Sequence, residues 1–577
     1  MTGTAAGLVA VVSVTALTLA IGIYGLRLSR TTSDFYVASR AVSPTWNASA
    51  ISGEYLSAAS FLGAAGLIMA YGADMLWYPV GWTAGYLVLL ILVAGPLRRS
   101  GAYTLPDFAE ARLESRGARR VASVLVVLIG WLYLMPQFRG AGLTVQIVTG
   151  APIWVGGLIV GGVVLVSVLS GGMRSITFVQ GFQYWLKLTA IALPVAFLFL
   201  AWRGDGAPGV TNNEMPTFRA TTTVQIETDV SVTTRAPVLV RVDGVVDGVR
   251  RDGARVRLTR GRHPVESGTS LTFPRGAEVP ETSNLRSLDN TSWVLPFGGG
   301  QQHPLYATYS LILATFLGTM GLPHVLVRFY TNPDGRTARR TALAVLCLLG
   351  AFYLFPAIYG ALGRVYAPDL LLTGRTDAVV LELPQRLVPG AGGEFLGMLV
   401  TAGAFAAFLS TSSGLAVSVA GVVSQDLVRR WTGGITGFRV SAVAAVAIPV
   451  LLALAAQRLS IAGVVGLAFA VAASTFCPLL VLGIWWSRLT HAGAIAGLVV
   501  GGTLAGGAVV ATLMADHAGW TGALLAQPAA WTVPVAFAVM VVGSLLTKRH
   551  TAPDVARTMV RLHAPEQLDV DRGTERA

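Results

Sequence analysis

Apolar residues run along this chain in long blocks separated by short polar stretches rich in arginine. A hydrocarbon core takes roughly 20 residues of helix, and about thirteen blocks approach or exceed that length. They lie near 4–26, 46–72, 76–97, 121–149, 153–170, 175–202, 304–327, 341–363, 395–424, 437–456, 461–486, 491–514 and 529–547. The pattern predicts an all-α polytopic membrane protein. One region breaks it: residues 203–302 are polar, and the stretches VQIETDVSVTT and APVLVRVDGVV alternate with the period of a strand. A small β-rich insert is expected there.

Composition agrees with the blocks. Of 577 residues 53% are hydrophobic and 12% charged, and the mean hydropathy is +0.63, outside the range of ordinary soluble domains. The net charge of +13 would suggest nucleic acid in a soluble chain. Here its distribution points to topology instead, and no nucleic-acid partner is expected. Alternate loops hold Arg27, Arg30 and Arg40; Arg98, Arg99, Arg112, Arg116, Arg119 and Arg120; Arg174; Arg328, Arg336, Arg339 and Arg340; Arg429, Arg430 and Arg439; Arg488; and Lys548, Arg549, Arg557 and Arg561. The positive-inside rule puts these loops and the C-terminus in the cytoplasm and the N-terminus outside. The insert then lies on the extracytoplasmic face of a multi-pass plasma-membrane protein. Cys347 and Cys477 fall in apolar helices and read as core thiols.

Two of the blocks look interrupted. WNASAISGEYLSAASFLGAAG carries Gly53 and Glu54 at mid-depth, and ATFLGTMGLPHVLVRF carries Gly318, Gly321 and Pro323. Broken helices at matching places in two halves point to an inverted-repeat transporter whose site lies at the breaks. A third block, AFLSTSSGLAVSVAGVVSQD, holds the hydroxyl pair Ser410–Thr411 and closes on Asp426. Hydroxyls at that depth need a polar partner, and a sodium ion takes neutral oxygens of this kind. An ion-coupled transporter is the reading. The P-loop pattern GxxxxGK[ST] is missing from the sequence, which argues against a primary pump, and nothing resembles a nucleophile with its base, so no enzyme activity is expected.

The residues SDFYVASRAVSPTWNASAISGEYLSAASFLG (33–63), SGGMRSITFVQGFQ (170–183), GTMGLPHVLVRFYT (318–331), the Ser410 to Asp426 stretch and GLAFAVAASTFCPLLVLGIWWSRLTHAG (466–493) resemble the sodium/solute symporter family, most of all its cation/acetate branch. The resemblance implies a LeuT-type five-plus-five inverted repeat. Residues 1–45 would hold an extra N-terminal helix and cytoplasmic loop, 46–202 the first repeat, 203–302 the insert, 303–486 the second repeat, 487–547 two C-terminal helices and 548–577 a cytoplasmic tail. It also implies a sodium site formed by carbonyls of Gly53 and Leu56 and by Ala407, Ser410 and Thr411. Two departures stand out. Gln180 occupies a place where several relatives carry Asp, and acetate-type members do not always have the hydroxyl pair.

The function expected is symport of a small organic solute, acetate or another short-chain monocarboxylate, with Na+ as coupling ion and no organic cofactor; proline, sugar or urea transport and a solute sensor are the alternatives. The partners expected are the lipid bilayer and that solute. Ser57, Ser60, Gln137, Arg139 and Gln183 are the candidate substrate residues. Arg139 either presents its planar guanidinium to a substrate carboxylate or pairs with Glu54. Lys187 either snorkels, neutralises Glu54 or meets substrate, and His324 is expected to make a loop-stabilising hydrogen bond.

Overall fold

The computed structural model describes residues 2–26, 43–210, 214–283, 285, 288–297, 303–428, 434–455, 460–515, 518–550 and 552–564. Arg27, Arg30, Arg40, Arg429, Arg430, Arg458 and the tail beyond 564 lie outside them. Among the described residues, eleven helical stretches are long and apolar enough to cross a membrane, against about thirteen expected on length alone. The difference has two sources. The blocks at 46–72 and 76–97 yield one apolar stretch, Ala59–Arg99, and the block at 153–170 gives only the shorter Ile153–Leu169, which is part of the helix Ile153–Gly204.

Helix starts follow local chemistry. Ser43, Ser115, Asp334, Ser460 and Thr490 each accept a backbone N–H of the first turn through their side chains, satisfying donors that have no intrahelical acceptor. The buried core gathers around the helices Pro44–Tyr55, Arg116–Thr149, Ile153–Gly204, Gly390–Val422 and Ile461–Trp485.

Both interrupted helices are present. The first runs Pro44–Tyr55, leaves helical geometry at Leu56 (φ −73°, ψ 85°), and resumes through a π-turn at Ala59–Gly63 into Ala64–Tyr71. The second runs Pro304–Thr319, breaks over Met320–Leu322, and resumes at Pro323–Val327. Gly53 is still helical. Its place is fixed by packing rather than by the break, because a β-carbon there would run into the carbonyl oxygen of Gln180.

The polar region contains seven strands among its described residues: β1 (Thr222–Gln225), β2 (Val230–Thr234), β3 (Val238–Val246), β4 (Val249–Leu258), β5 (Gly261–Val265), β6 (Ser270–Phe273) and β7 (Glu281–Thr282). They form an antiparallel sheet in the order β1-β6-β3-β5-β2-β7, with β4 on β3. The β3–β4 hairpin turns at Asp247 and Gly248, both at positive φ, the geometry that follows the natural twist of paired strands.

The sheet's return to the helices is tightly held. Trp293 Nε1 donates to the carbonyls of Ile68 (2.8 Å) and Met69 (3.0 Å), capping the Ala64–Tyr71 segment. Arg364 donates to Asn290 Oδ1 (3.0 Å) and lies over the Trp293 ring, and Arg375 pairs with Glu227 at 2.7 Å. At the far end of the chain, the short helix Val555–His563 is fastened by Arg99, which donates to Leu562 O (2.7 Å). Cys477 is buried, whereas Cys347 is exposed on its helix and is not a core thiol.

Candidate functional site

A helix that stops inside a membrane leaves its last four carbonyls without intrahelical donors, and no water is there to replace them. For Pro44–Tyr55, whose C-cap is Leu56, these are the carbonyls of Gly53, Glu54, Tyr55 and Leu56. The helix Gly390–Val422 supplies part of the answer. Thr411 Oγ1 donates to Glu54 O (2.6 Å), and Ser410 Oγ contacts both Gly53 O (2.8 Å) and Ala407 O (3.1 Å). On the other side of the break, Gln137 Oε1 accepts from Ala58 N (2.8 Å).

The remaining donor is Lys187. Its Nζ donates to Leu56 O (2.8 Å), Gly53 O and Ser410 Oγ, and the side chain is wholly buried. All three acceptors are neutral oxygens, and two of them, the carbonyls of Gly53 and Leu56, lie at the negative end of a helix, where a cation is favoured. The five residues expected to surround sodium are therefore brought together, but the ammonium of Lys187 fills the space among them. A second unit charge about 3 Å from it would be repelled by about 5 kcal/mol at an effective dielectric constant near 20. A sodium ion does not fit this oxygen set while Lys187 points into it.

Glu54 has a different partner from the one expected. Arg328 Nε pairs with Glu54 Oε2 at 2.7 Å, and Arg328 also donates to Thr177 Oγ1 (2.7 Å) and to Gln180 Oε1. Both charged side chains are buried. A planar guanidinium serves three acceptors at once, which suits it to a site away from water. Gln180 in turn donates through Nε2 to Ser410 O (2.8 Å), linking this cluster to the hydroxyl helix. Gly414 makes room for the carboxylate, since a β-carbon there would meet Glu54 Oε1. Just beyond, Asn47 Nδ2 donates to Asn332 Oδ1 (3.2 Å), a second tie between the two interrupted helices' neighbourhoods.

Arg139 is not the partner of Glu54; the opposite charge it meets is Asp377. Arg328 went unrecognised because it sits in an arginine-rich stretch that reads as a loop. The available signal was its position five residues after Pro323, in the segment that follows the second break. Lys187 neither snorkels nor pairs directly with a carboxylate.

The other predicted residues separate into two groups. Ser57 lies beside the Tyr133 phenol, and Ser60 Oγ is 2.7 Å from Tyr353 Oη. Rings of Tyr55, Trp82, Tyr86, Tyr133, Tyr353 and Phe469 enclose this region with centroid spacings of 5.0–6.3 Å. Trp82 Nε1 and Tyr86 Oη are buried here without a hydrogen-bond partner. Gln137 holds the break, and Gln183 Nε2 donates to Thr18 of the first helix (3.0 Å). His324 is buried with its ring 5.0 Å from Tyr133, and its two nitrogens make no hydrogen bond, so it does not stabilise a loop in the way expected.

Known proteins share this architecture. A Na+-coupled sialic acid symporter in a substrate-bound outward-open state superposes with a TM-score of 0.62 at 14% identity, covering 94% of this chain and 98% of that one. The hydantoin-bound nucleobase-cation-symport-1 family transporter Mhp1 follows at 0.52 and 12%, covering 92% and 99%. At these identities the likeness shows the fold. In sequence, the chain is 30% identical over 565 residues to the monocarboxylic acid transporter of Corynebacterium glutamicum, covering 92% of this chain and 90% of the relative. It is likewise 30% identical over 497 residues to the uncharacterized symporter YwcA of Bacillus subtilis, covering 85% and 83%. The profile of the Sodium:solute symporter family matches residues 35–239 and 284–501, leaving out the two ends of the chain and residues 240–283, which hold most of β3 and all of β4 to β7. With the two interrupted helices and the capped break in the first of them, the match over most of its length means that this chain belongs to the sodium:solute symporter family.

Proposed function

We propose that this protein is a secondary active symporter that imports a small organic solute, a short-chain monocarboxylate, driven by an inward cation gradient through alternating access. Family membership supports sodium as the gradient, and the Corynebacterium relative, named a monocarboxylic acid transporter, supports the solute class. In this reading the protein lies in the plasma membrane, N-terminus outside and C-terminus in the cytoplasm, with the sheet on the outer face.

The observation that carries the reading is the buried meeting of the two interrupted helices. Glu54 at the end of one half-helix pairs with Arg328 just after the other. Alternating access needs elements from two repeats that hold together in one state and part in another. The pair, with Asn47 and Asn332, is such a tie, and opening that side requires it to break. The solute occupies the aromatic-walled region beside the first break. Ser57, Ser60, Trp82 Nε1 and the phenols of Tyr86, Tyr133 and Tyr353 can donate there to a carboxylate, while the rings bound its short alkyl group. Gln137 positions this wall by holding Ala58. Arg139 and Gln183, which face Asp377 and Thr18, stand outside it.

Purified protein in liposomes tests the proposal. Labelled acetate, propionate, pyruvate, proline, glucose and urea are offered with an inward sodium gradient, an inward proton gradient or none. Accumulation of a monocarboxylate above equilibrium under an ion gradient is the expected result; accumulation confined to proline, sugar or urea would overturn the solute, and no gradient-driven accumulation would overturn symport.

A further inference from the structure

The oxygen cluster at the first break has the composition of a small-cation site: two main-chain carbonyls and a side-chain hydroxyl converge on one point. Such neutral hard oxygens are what a sodium ion takes in place of its hydration shell. In this chain they converge on Lys187 Nζ. The lysine reaches this point from the helix Ile153–Gly204, which already packs closely on the break through Gly53 and Gln180, so the ammonium is delivered by a rigid element and not by a loop. It also links three segments at once: the broken helix, the hydroxyl helix and its own.

We propose that the Lys187 ammonium is a tethered replacement for the sodium ion at this site, so that the coupling cation of this transporter does not bind at Gly53, Leu56, Ala407, Ser410 and Thr411. The contact a diffusible ion would make and lose during the cycle is here a permanent covalent part of the chain. The broken helix, the hydroxyl helix and the lysine's own helix are therefore held together at the break irrespective of the sodium concentration. The inference rests on the symport reading above but concerns only where the ion is bound, and it can fail while that reading stands.

The test is sodium-dependent thermal stability of the purified full-length protein, compared in sodium chloride and choline chloride at equal ionic strength. The wild type and Ser410→Ala are expected to share one response to sodium, because Ser410 Oγ serves Lys187 and not a free ion. Lys187→Ala empties the centre of the oxygen cluster and is expected to gain a saturable rise in melting temperature with sodium, absent from the double variant Lys187→Ala with Ser410→Ala. A wild-type stabilisation by sodium that Ser410→Ala abolishes would overturn the proposal, as would a folded Lys187→Ala that gains no sodium response. If Lys187→Ala does not fold, the wild type and Ser410→Ala decide the matter by themselves. Loss of monocarboxylate transport under every gradient would strike the symport reading alone, since the melting comparison needs no solute.

Discussion

Lys187 and Arg328 are both buried cations at the end of the first interrupted helix, yet they are held by opposite chemistries. Arg328 has a carboxylate, Glu54, and two further acceptors in Thr177 and Gln180. Lys187 has only neutral oxygens, two of them carbonyls left at a helix end. The first arrangement balances a charge, and removing one member leaves the other stranded. The second satisfies dipoles, and removing the lysine leaves polar groups without donors but no opposite charge in direct contact. A charge kept for a partner charge is thus distinguished from a charge kept for a set of oxygens.

That distinction is sharpest where a buried ion pair is cut. Arg328→Gln should destabilise the protein by about 3–5 kcal/mol, the usual cost of leaving a buried charge without its partner. Adding Glu54→Gln should restore much of the loss, whereas adding Glu54→Gln to Arg139→Gln should give no such recovery, because Arg139 faces Asp377. Thermal melting of the single and double variants in detergent measures both. Equal rescue in the two pairs would remove the assignment of Arg328.

Lys187→Met should cost less, about 1–3 kcal/mol for a carbonyl left unsatisfied, and Glu54→Gln should not rescue it. A double variant as stable as the wild type would mean that Lys187 is held by Glu54 after all.

Much of this arrangement is legible in the sequence, and the reasons for the rest are physical. Most spans follow from hydrophobic length, and the second interruption from Gly321 and Pro323, whereas the first falls at Leu56, past a Gly53 that is still helical. The need of Ser410 and Thr411 for a partner follows from the cost of burying hydroxyls. Pairings do not follow. The sequence offers Glu54 two cations inside apolar spans, Arg139 and Lys187, while Arg328 reads as a loop residue, and only packing of helices distant in sequence selects it. Gly53 shows the same limit: the residue marks a close approach, but the partner, Gln180 O, lies 127 positions away along the chain.

The insert offers a milder contrast between its sheet and its return segment. Removing β1–β7 while keeping 288–297 should leave gradient-driven uptake measurable, because the caps on Ile68 and Met69 come from Trp293. Trp293→Phe, which keeps a ring and loses the donor, should cost about 1 kcal/mol, the net worth of a typical hydrogen bond. Uptake that survives Trp293→Phe but not removal of the sheet would reverse this division.

The smallest effect concerns His263 in β5. Burial disfavours its charged form, but bonds to Thr259 O and to the Asp247 carboxylate outweigh this and raise its pKa. A raised folded-state value means that the contribution is fully present below the unfolded His pKa and fades as pH rises through the folded one. Hydrogen exchange of β2 and β5 amides in the intact protein, corrected for intrinsic rates, should therefore show slightly weaker protection above that range. His263→Gln should flatten the dependence.

An experimental density map of the wild-type protein in sodium-containing buffer tests the central assignment most directly. The arrangement described here predicts continuous side-chain density from Lys187 ending within hydrogen-bonding distance of Gly53 O, Leu56 O and Ser410 Oγ. A separate ion peak among those oxygens, with Lys187 turned elsewhere, would contradict it.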